Sequence, residues 1–115
     1  MAQHDEVISA RQPIDDGVLV RVTGEIDLVR SPELRHALLR LLESGPGRLV
    51  VDLSGVPFMD SSGVATLVEA LQVQRRHARK LVLCGLQPKV RSIFEISRLD
   101  MVFEIAEDAA SAGSL

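Results

Sequence analysis

One short segment, Asp60-Ser61-Ser62-Gly63, combines a carboxylate, two hydroxyls and a glycine ahead of an amphipathic pattern. This position predicts the cap and first turn of a helix, where the first N–H groups lack intrahelical partners and the helix dipole adds partial positive charge. A phosphoryl group on Ser61 or Ser62 would be stabilised there by those N–H groups. Plain helix capping by Asp60 and the serines explains the same residues, because Asp and Ser are common N-cap residues.

A second acidic cluster, Gly24-Glu25-Ile26-Asp27, follows a run of β-branched residues. Glu25 and Asp27 have the chemistry of a general acid and base pair or of a cation site, and they also fit a solvated loop before a helix. If this loop lies beside Asp60, one rim carries three carboxylates and the two serines. We then expect a basic partner at this rim, and we expect Asp27→Lys to weaken its binding without unfolding the domain.

The segments that must position these residues alternate between strand and helix. The predicted elements are a strand around Val7 and Ile8, a turn at Asp16-Gly17, a strand over 18–23, a helix over 31–43, a strand over 49–53, a helix over 61–77, a strand over 81–85, a helix from Pro88, a strand over 101–106 and a short helix near 108–112. Ser31 is the expected cap of the first helix. This order predicts an α/β fold, in which a mixed sheet of four to five strands packs with about four α-helices.

The composition indicates one domain of 115 residues, with a core over about 5–108 and a frayed tail over 109–115. A net charge of −3 and three aromatic residues disfavour direct nucleic-acid binding. The apolar runs are far shorter than a membrane span needs. The opening residues have neither the basic nor the apolar region of a signal peptide, so we expect a cytoplasmic protein.

The remaining reactive residue types do not form a catalytic or metal site in the sequence. Cys84 lies in an apolar run and is expected in the core, and His4, His36 and His77 are expected at the surface without metal. There is no phosphate-binding loop for ATP and no nucleophile elbow. We therefore expect no catalytic residue, no metal and no cofactor in this chain.

Four strings in their order and spacing resemble the STAS domain family, and specifically the anti-sigma-factor antagonists. They are Thr23–Asp27, Ser31-Pro32, Phe58–Gly63 and Ser92–Leu99. The resemblance implies a protein that binds an anti-sigma factor serine kinase while unphosphorylated and so releases a sigma factor. It also implies that the kinase phosphorylates Ser61, that a serine phosphatase reverses this, and that Glu25, Asp27, Asp60, Ser61, Ser62 and Gly63 bind the partner.

Two other functions fit parts of the same sequence. A STAS domain can be a binding module without a switch, as in a lipid-transport accessory subunit or a stressosome-like scaffold. A small hydrolase using Glu25, Asp27 and Asp60 would need a fold that the sequence does not support. The sequence leaves open the oligomeric state and the sigma factor. The chemistry of the residues does not decide between Ser61 and the less favoured Ser62, so the assignment of Ser61 rests on the resemblance.

Overall fold

The structure, a computed structural model, describes residues 6–112. Within that range five strands form one sheet in chain order, namely β1 (Ile8–Ile14), β2 (Gly17–Thr23), β3 (Arg48–Gly55), β4 (Lys80–Cys84) and β5 (Glu104–Ala106). β1 is antiparallel to β2, and the other neighbours are parallel. Four α-helices of the same range are α1 (Ser31–Glu43), α2 (Ser61–Arg76), α3 (Pro88–Ile96) and α4 (Ala109–Ala112). The predicted α/β class, the mixed sheet and the number of helices are confirmed.

Strand β3 is buried on both faces, as its continuous apolar run predicts. Leu49, Val51 and Leu53 pack with the apolar residues of α1, α2 and α3, whereas Val50 belongs to a smaller cluster with Ala112 of α4. The sheet therefore has three helices on one face and the short α4 on the other. Because β2 and β3 are parallel neighbours, the loops that leave them lie at the same edge of the sheet.

The C-terminal region differs from the prediction in two places. The strand expected over 101–106 is shorter, since Leu99–Met101 form a 3-10 turn and β5 starts at Glu104. Arg98, with φ of 61°, ends α3 in the left-handed region, and Phe103 packs edge to face on Phe94 with ring centroids 5.4 Å apart. These contacts fix residues 99–103 as a turn.

The short helix predicted near 108–112 is present as α4, so residues 109–112 are helical although they also fall within the tail that we expected to fray. Ala112 is buried against the sheet. The expected start of the core at residue 5, the rest of the tail at 113–115 and His4 lie outside the described residues. Among the helices of residues 6–112, none has the length and apolar character needed to cross a membrane.

Candidate functional site

The two loops predicted to share a rim are joined by backbone hydrogen bonds. The Ile26 N–H donates to the Phe58 carbonyl at 3.0 Å, and the Asp60 N–H donates to the Ile26 carbonyl at 3.1 Å. Ile26 and Met59 form an isolated parallel bridge beyond the ends of β2 and β3. The predicted juxtaposition of the loop at residues 24–27 with Asp60 is therefore confirmed.

Gly63 allows the first turn of α2 to approach this bridge closely. A Cβ atom at Gly63 would lie 2.6 Å from Met59 Cγ and 2.8 Å from Ile26 Cγ2, well inside van der Waals contact. Ile26 and Met59 are themselves fully buried. A glycine is thus required by packing here, and it fixes the start of α2 against both loops.

Asp60 is the N-cap of α2. Its Oδ1 accepts hydrogen bonds from the Ser62 N–H at 2.9 Å, from the Ser62 hydroxyl at 2.5 Å and from the Gly63 N–H at 3.4 Å. The hydroxyl of Ser62, followed by the backbone N–H groups of Ser62, Gly63 and Leu28, lowers the pKa of Asp60 and outweighs its partial desolvation. Asp60 therefore caps α2, as the capping interpretation predicted.

The two serines of the segment have different environments. Ser61 is the first residue of α2 and is exposed, and no described residue accepts or donates a hydrogen bond at its hydroxyl. Ser62 is partly buried, and its hydroxyl donates to Asp60. The predicted position of Ser61 in the first turn of the second helix is confirmed, and the residue is solvent accessible there. Of the two hydroxyls, only that of Ser61 can react without breaking a hydrogen bond of the cap.

The loop before α1 is organised by Asp27. Asp27 Oδ1 accepts from the N–H groups of Val29 at 3.0 Å and Arg30 at 3.1 Å. The Arg30 guanidinium in turn donates to the carbonyls of Thr23 at 2.8 Å and Glu25 at 3.2 Å. Asp27 is therefore a residue that shapes the loop, whereas the Glu25 side chain is exposed.

The expectation that Ser31 caps α1 was wrong. Ser31 is buried within the first turn, and the residue at the cap position, Arg30, makes no side-chain cap hydrogen bond. The carboxylate of Asp27 satisfies N–H groups before the helix instead.

This geometry changes what we expect of Asp27 variants. Asp27→Lys removes two hydrogen bonds to a carboxylate, so it should lower the free energy of unfolding by about 1–2 kcal/mol, more than a plain loop charge would. Asp27→Asn keeps an acceptor oxygen and should lose less than half of that amount. Urea denaturation of both variants measures the difference. Equal losses would show that the charge of Asp27, and not its hydrogen bonds, stabilises the loop.

The lowered pKa of Asp60 also predicts a pH dependence. The charged carboxylate is favoured in the folded state, so its contribution is present above the ordinary value of 3.8 and is lost as pH falls through the lower folded pKa. Asp60→Asn removes the titrating group but keeps a cap acceptor. Wild type should exceed this variant in stability at neutral pH, and the gap should close in acid. A gap that stays constant between neutral pH and about pH 2 would contradict the assignment.

Cys84, His36 and His77 lie as predicted. Cys84 is buried, and burial, followed by the charges of Asp52 and Asp108, raises the pKa of its thiol to about 12. The thiol therefore stays protonated at neutral pH. His36 and His77 are exposed, and within residues 6–112 no three His, Cys, Asp or Glu side chains gather as a metal site.

Sequence reasoning missed three exposed apolar residues beside the site, which we call the apolar patch: Leu28, Val29 and Phe58. Leu28 and Val29 are 76% and 84% exposed, and Phe58 is 39% exposed. One signal was available, because Leu28-Val29 stands between the polar Asp27 and Arg30, outside the apolar repeat of α1.

The described residues thus form a five-stranded mixed sheet with an exposed serine at the start of α2, beside the ends of the parallel strands β2 and β3. The STAS domain model matches residues 8–112, and the chain therefore belongs to the STAS domain family. An anti-sigma-B factor antagonist of Staphylococcus aureus is 30% identical over 88 residues, which cover 76% of this chain and 82% of that protein.

Solved structures agree with this assignment. The crystal structure of an anti-sigma factor antagonist from Mycobacterium paratuberculosis has a TM-score of 0.84 and 27% identity, and the match covers 91% of this chain and 89% of that one. The Bacillus cell fate determinant SpoIIAA in its phosphorylated form shares the fold, with a TM-score of 0.68, 21% identity, and coverage of 89% and 94% of the two chains.

Proposed function

We propose that this protein is an anti-sigma factor antagonist whose binding is switched by phosphorylation of Ser61. In the unphosphorylated state it binds an anti-sigma factor that is also a serine kinase, and the sigma factor is released. The observation that carries the proposal is the exposed, unengaged hydroxyl of Ser61 at the start of α2, beside the Asp60 cap. The similarity to proteins named as anti-sigma factor antagonists supports the choice of partner.

Phosphorylation uses ATP held by the partner. Ser61 Oγ forms a bond to the γ-phosphorus of that ATP, the bond from the γ-phosphorus to the bridging oxygen breaks, and ADP leaves. The hydroxyl proton passes to a base of the kinase. A partner phosphatase reverses the step, in which water attacks the phosphorus and releases inorganic phosphate and the free hydroxyl. The proposal includes a cytoplasmic location for this protein, since both its kinase partner and the ATP that the kinase uses would be found there.

The site supports a large effect from one phosphoryl group. At neutral pH the group carries a charge of about −1.5 to −2, next to Asp60 and on the same rim as Glu25. The Ser62 and Gly63 N–H groups of the first turn of α2 already donate to Asp60, so the stabilisation of that charge in the isolated domain comes from the helix dipole. We infer that Ser61 and Glu25 contact the partner directly, while Asp27, Asp60, Ser62 and Gly63 hold the contact surface in shape. SpoIIAA, which has the same fold, is known in a phosphorylated form.

Isothermal titration of the chain with each purified anti-sigma factor of the same organism tests the proposal. We expect one of them to bind the unmodified chain and to lose most of its affinity once the chain has been phosphorylated at Ser61. Binding to none of them would contradict the proposed function. Equal binding of both forms would retain the partner but exclude the switch.

A further inference from the structure

The apolar patch lies at the border of the phosphorylation site. The Leu28 N–H faces the Asp60 carboxylate, and Phe58 stands two residues before Asp60 with its carbonyl bonded to the Ile26 N–H. Ser61 follows Asp60 directly. A partner that contacts the exposed hydroxyl of Ser61 is therefore next to Leu28 and Phe58.

The fold holds Leu28 and Val29 away from its own core. The two residues occupy the turn before α1, and Asp27 fixes that turn through the N–H groups of Val29 and Arg30. Ile26, two residues before Leu28, is fully buried, so the chain passes from the core to the surface within a few residues. Two adjacent large apolar side chains held in water on a hydrogen-bonded turn are typical of a contact surface.

We propose that Leu28 and Val29, extended by Phe58, are the apolar anchor of the complex with the anti-sigma factor. The occupant is a surface of that protein with an apolar centre and a basic edge, the edge facing Glu25. This inference rests on the proposed function, since it takes the anti-sigma factor as the partner. Continuity of the patch with the Ser61 site is what selects this occupant.

The anchor explains how a phosphoryl group releases a partner that is itself basic at its edge. Charge attraction alone would strengthen binding of the phosphorylated chain. When the patch is covered, however, water is excluded at its border, where Ser61 stands. A phosphoryl group there must lose hydration without room to find new donors, so the complex is destabilised.

A second exposed apolar group provides a matched control. Ile96 is 84% exposed, the same fraction as Val29, and it ends α3. Arg75, in the last turn of α2, donates to the carbonyl of Val102 near that end. At 1.5 Å per residue, Arg75 lies about 20 Å along α2 from Ser61, so the Ile96 end is remote from the site.

The test compares Leu28→Ser/Val29→Ser with Ile96→Ser in titrations against the anti-sigma factor that binds the unmodified chain. The double variant should bind roughly tenfold to a hundredfold more weakly, since central apolar anchors dominate interface energies. The heat-capacity change of its binding should also be less negative, because less apolar surface is buried. Ile96→Ser should bind within about twofold of wild type. The single variants Val29→Thr and Val29→Ser are compared in the same way, and Val29→Thr, which keeps the shape of the side chain, should lose less affinity than Val29→Ser.

The outcomes separate the two proposals. Wild-type affinity for the double variant, or an equal loss for Ile96→Ser, would overturn the anchor and leave the proposed function standing. Failure of the unmodified chain to bind any anti-sigma factor would overturn both. Thermal unfolding checks that all variants are folded, which their exposed positions lead us to expect.

Discussion

Ser61→Asp is expected to weaken binding of the anti-sigma factor at least about thirtyfold, since an uncompensated charge at a desolvated contact costs about 2–5 kcal/mol. Ser61→Ala should stay within about fivefold of wild type, because loss of one exposed hydroxyl removes at most about 1 kcal/mol. Calorimetric titration of both variants measures this asymmetry. An equal loss for the two variants would show that the hydroxyl, and not added charge, controls the interface.

The folding stability of the same variants provides the control. An acidic side chain in the first turn of a helix is stabilised by the helix dipole. The free energy of unfolding of Ser61→Asp should therefore equal that of wild type or exceed it by up to about 1 kcal/mol. A variant that loses its partner while gaining stability has lost the contact and not the fold. If Ser61→Asp were destabilised instead, weaker binding would not report on the interface.

Gly63→Ala should destabilise the domain, although alanine has a higher helix propensity than glycine. In an exposed helix this change adds roughly 0.5–1 kcal/mol of stability. Here the new Cβ meets Met59 and Ile26 at less than 3 Å, and overpacking of this kind costs about 1–3 kcal/mol. Chemical denaturation should therefore show a net fall in the free energy of unfolding. A net rise would mean that α2 is not packed tightly on the two loops.

A double-mutant cycle with Met59→Ala locates the cause. Met59→Ala alone removes buried contacts and should cost about 2–5 kcal/mol. It also removes the Cγ and Sδ atoms that the new Cβ of Gly63→Ala would meet. Gly63→Ala should therefore cost about 1 kcal/mol less in the Met59→Ala background than in wild type. Strict additivity of the two changes would place the strain of Gly63→Ala elsewhere.

The strands and helices that position the site were predictable from the sequence, because the local apolar patterns and the chain topology indicate the same elements. The apolar run of β3 predicted a central strand, and the apolar spacing after Ser61 predicted the start of α2. Parallel pairing of β2 and β3 then brought the two acidic segments to one edge. Each of these steps depends on a periodicity or a chain order that tertiary contacts do not alter.

Other features depended on contacts that the sequence does not specify. Ser31 is a good cap residue by type, but Arg30 occupies the cap position of α1 without a side-chain cap hydrogen bond, and Asp27 bonds the N–H groups of the turn before the helix. Leu28 and Val29 are as apolar as core residues, and only the direction of the turn exposes them. Met101 and Val102 lie in an apolar run that suggested a strand, but the left-handed Arg98 and the packing of Phe103 on Phe94 make it a turn.

Mapping of the phosphorylated residue is the most direct test of the central claim, which is that a partner kinase modifies Ser61. The chain, Ser61→Ala and Ser62→Ala are each incubated with ATP and the anti-sigma factor kinase that binds the chain, and the products are examined by intact mass and peptide mapping. We expect one phosphoryl group on wild type and on Ser62→Ala, located on Ser61, and none on Ser61→Ala. A phosphoryl group confined to Ser62, or an unmodified wild-type chain under conditions where the kinase is active, would contradict the claim.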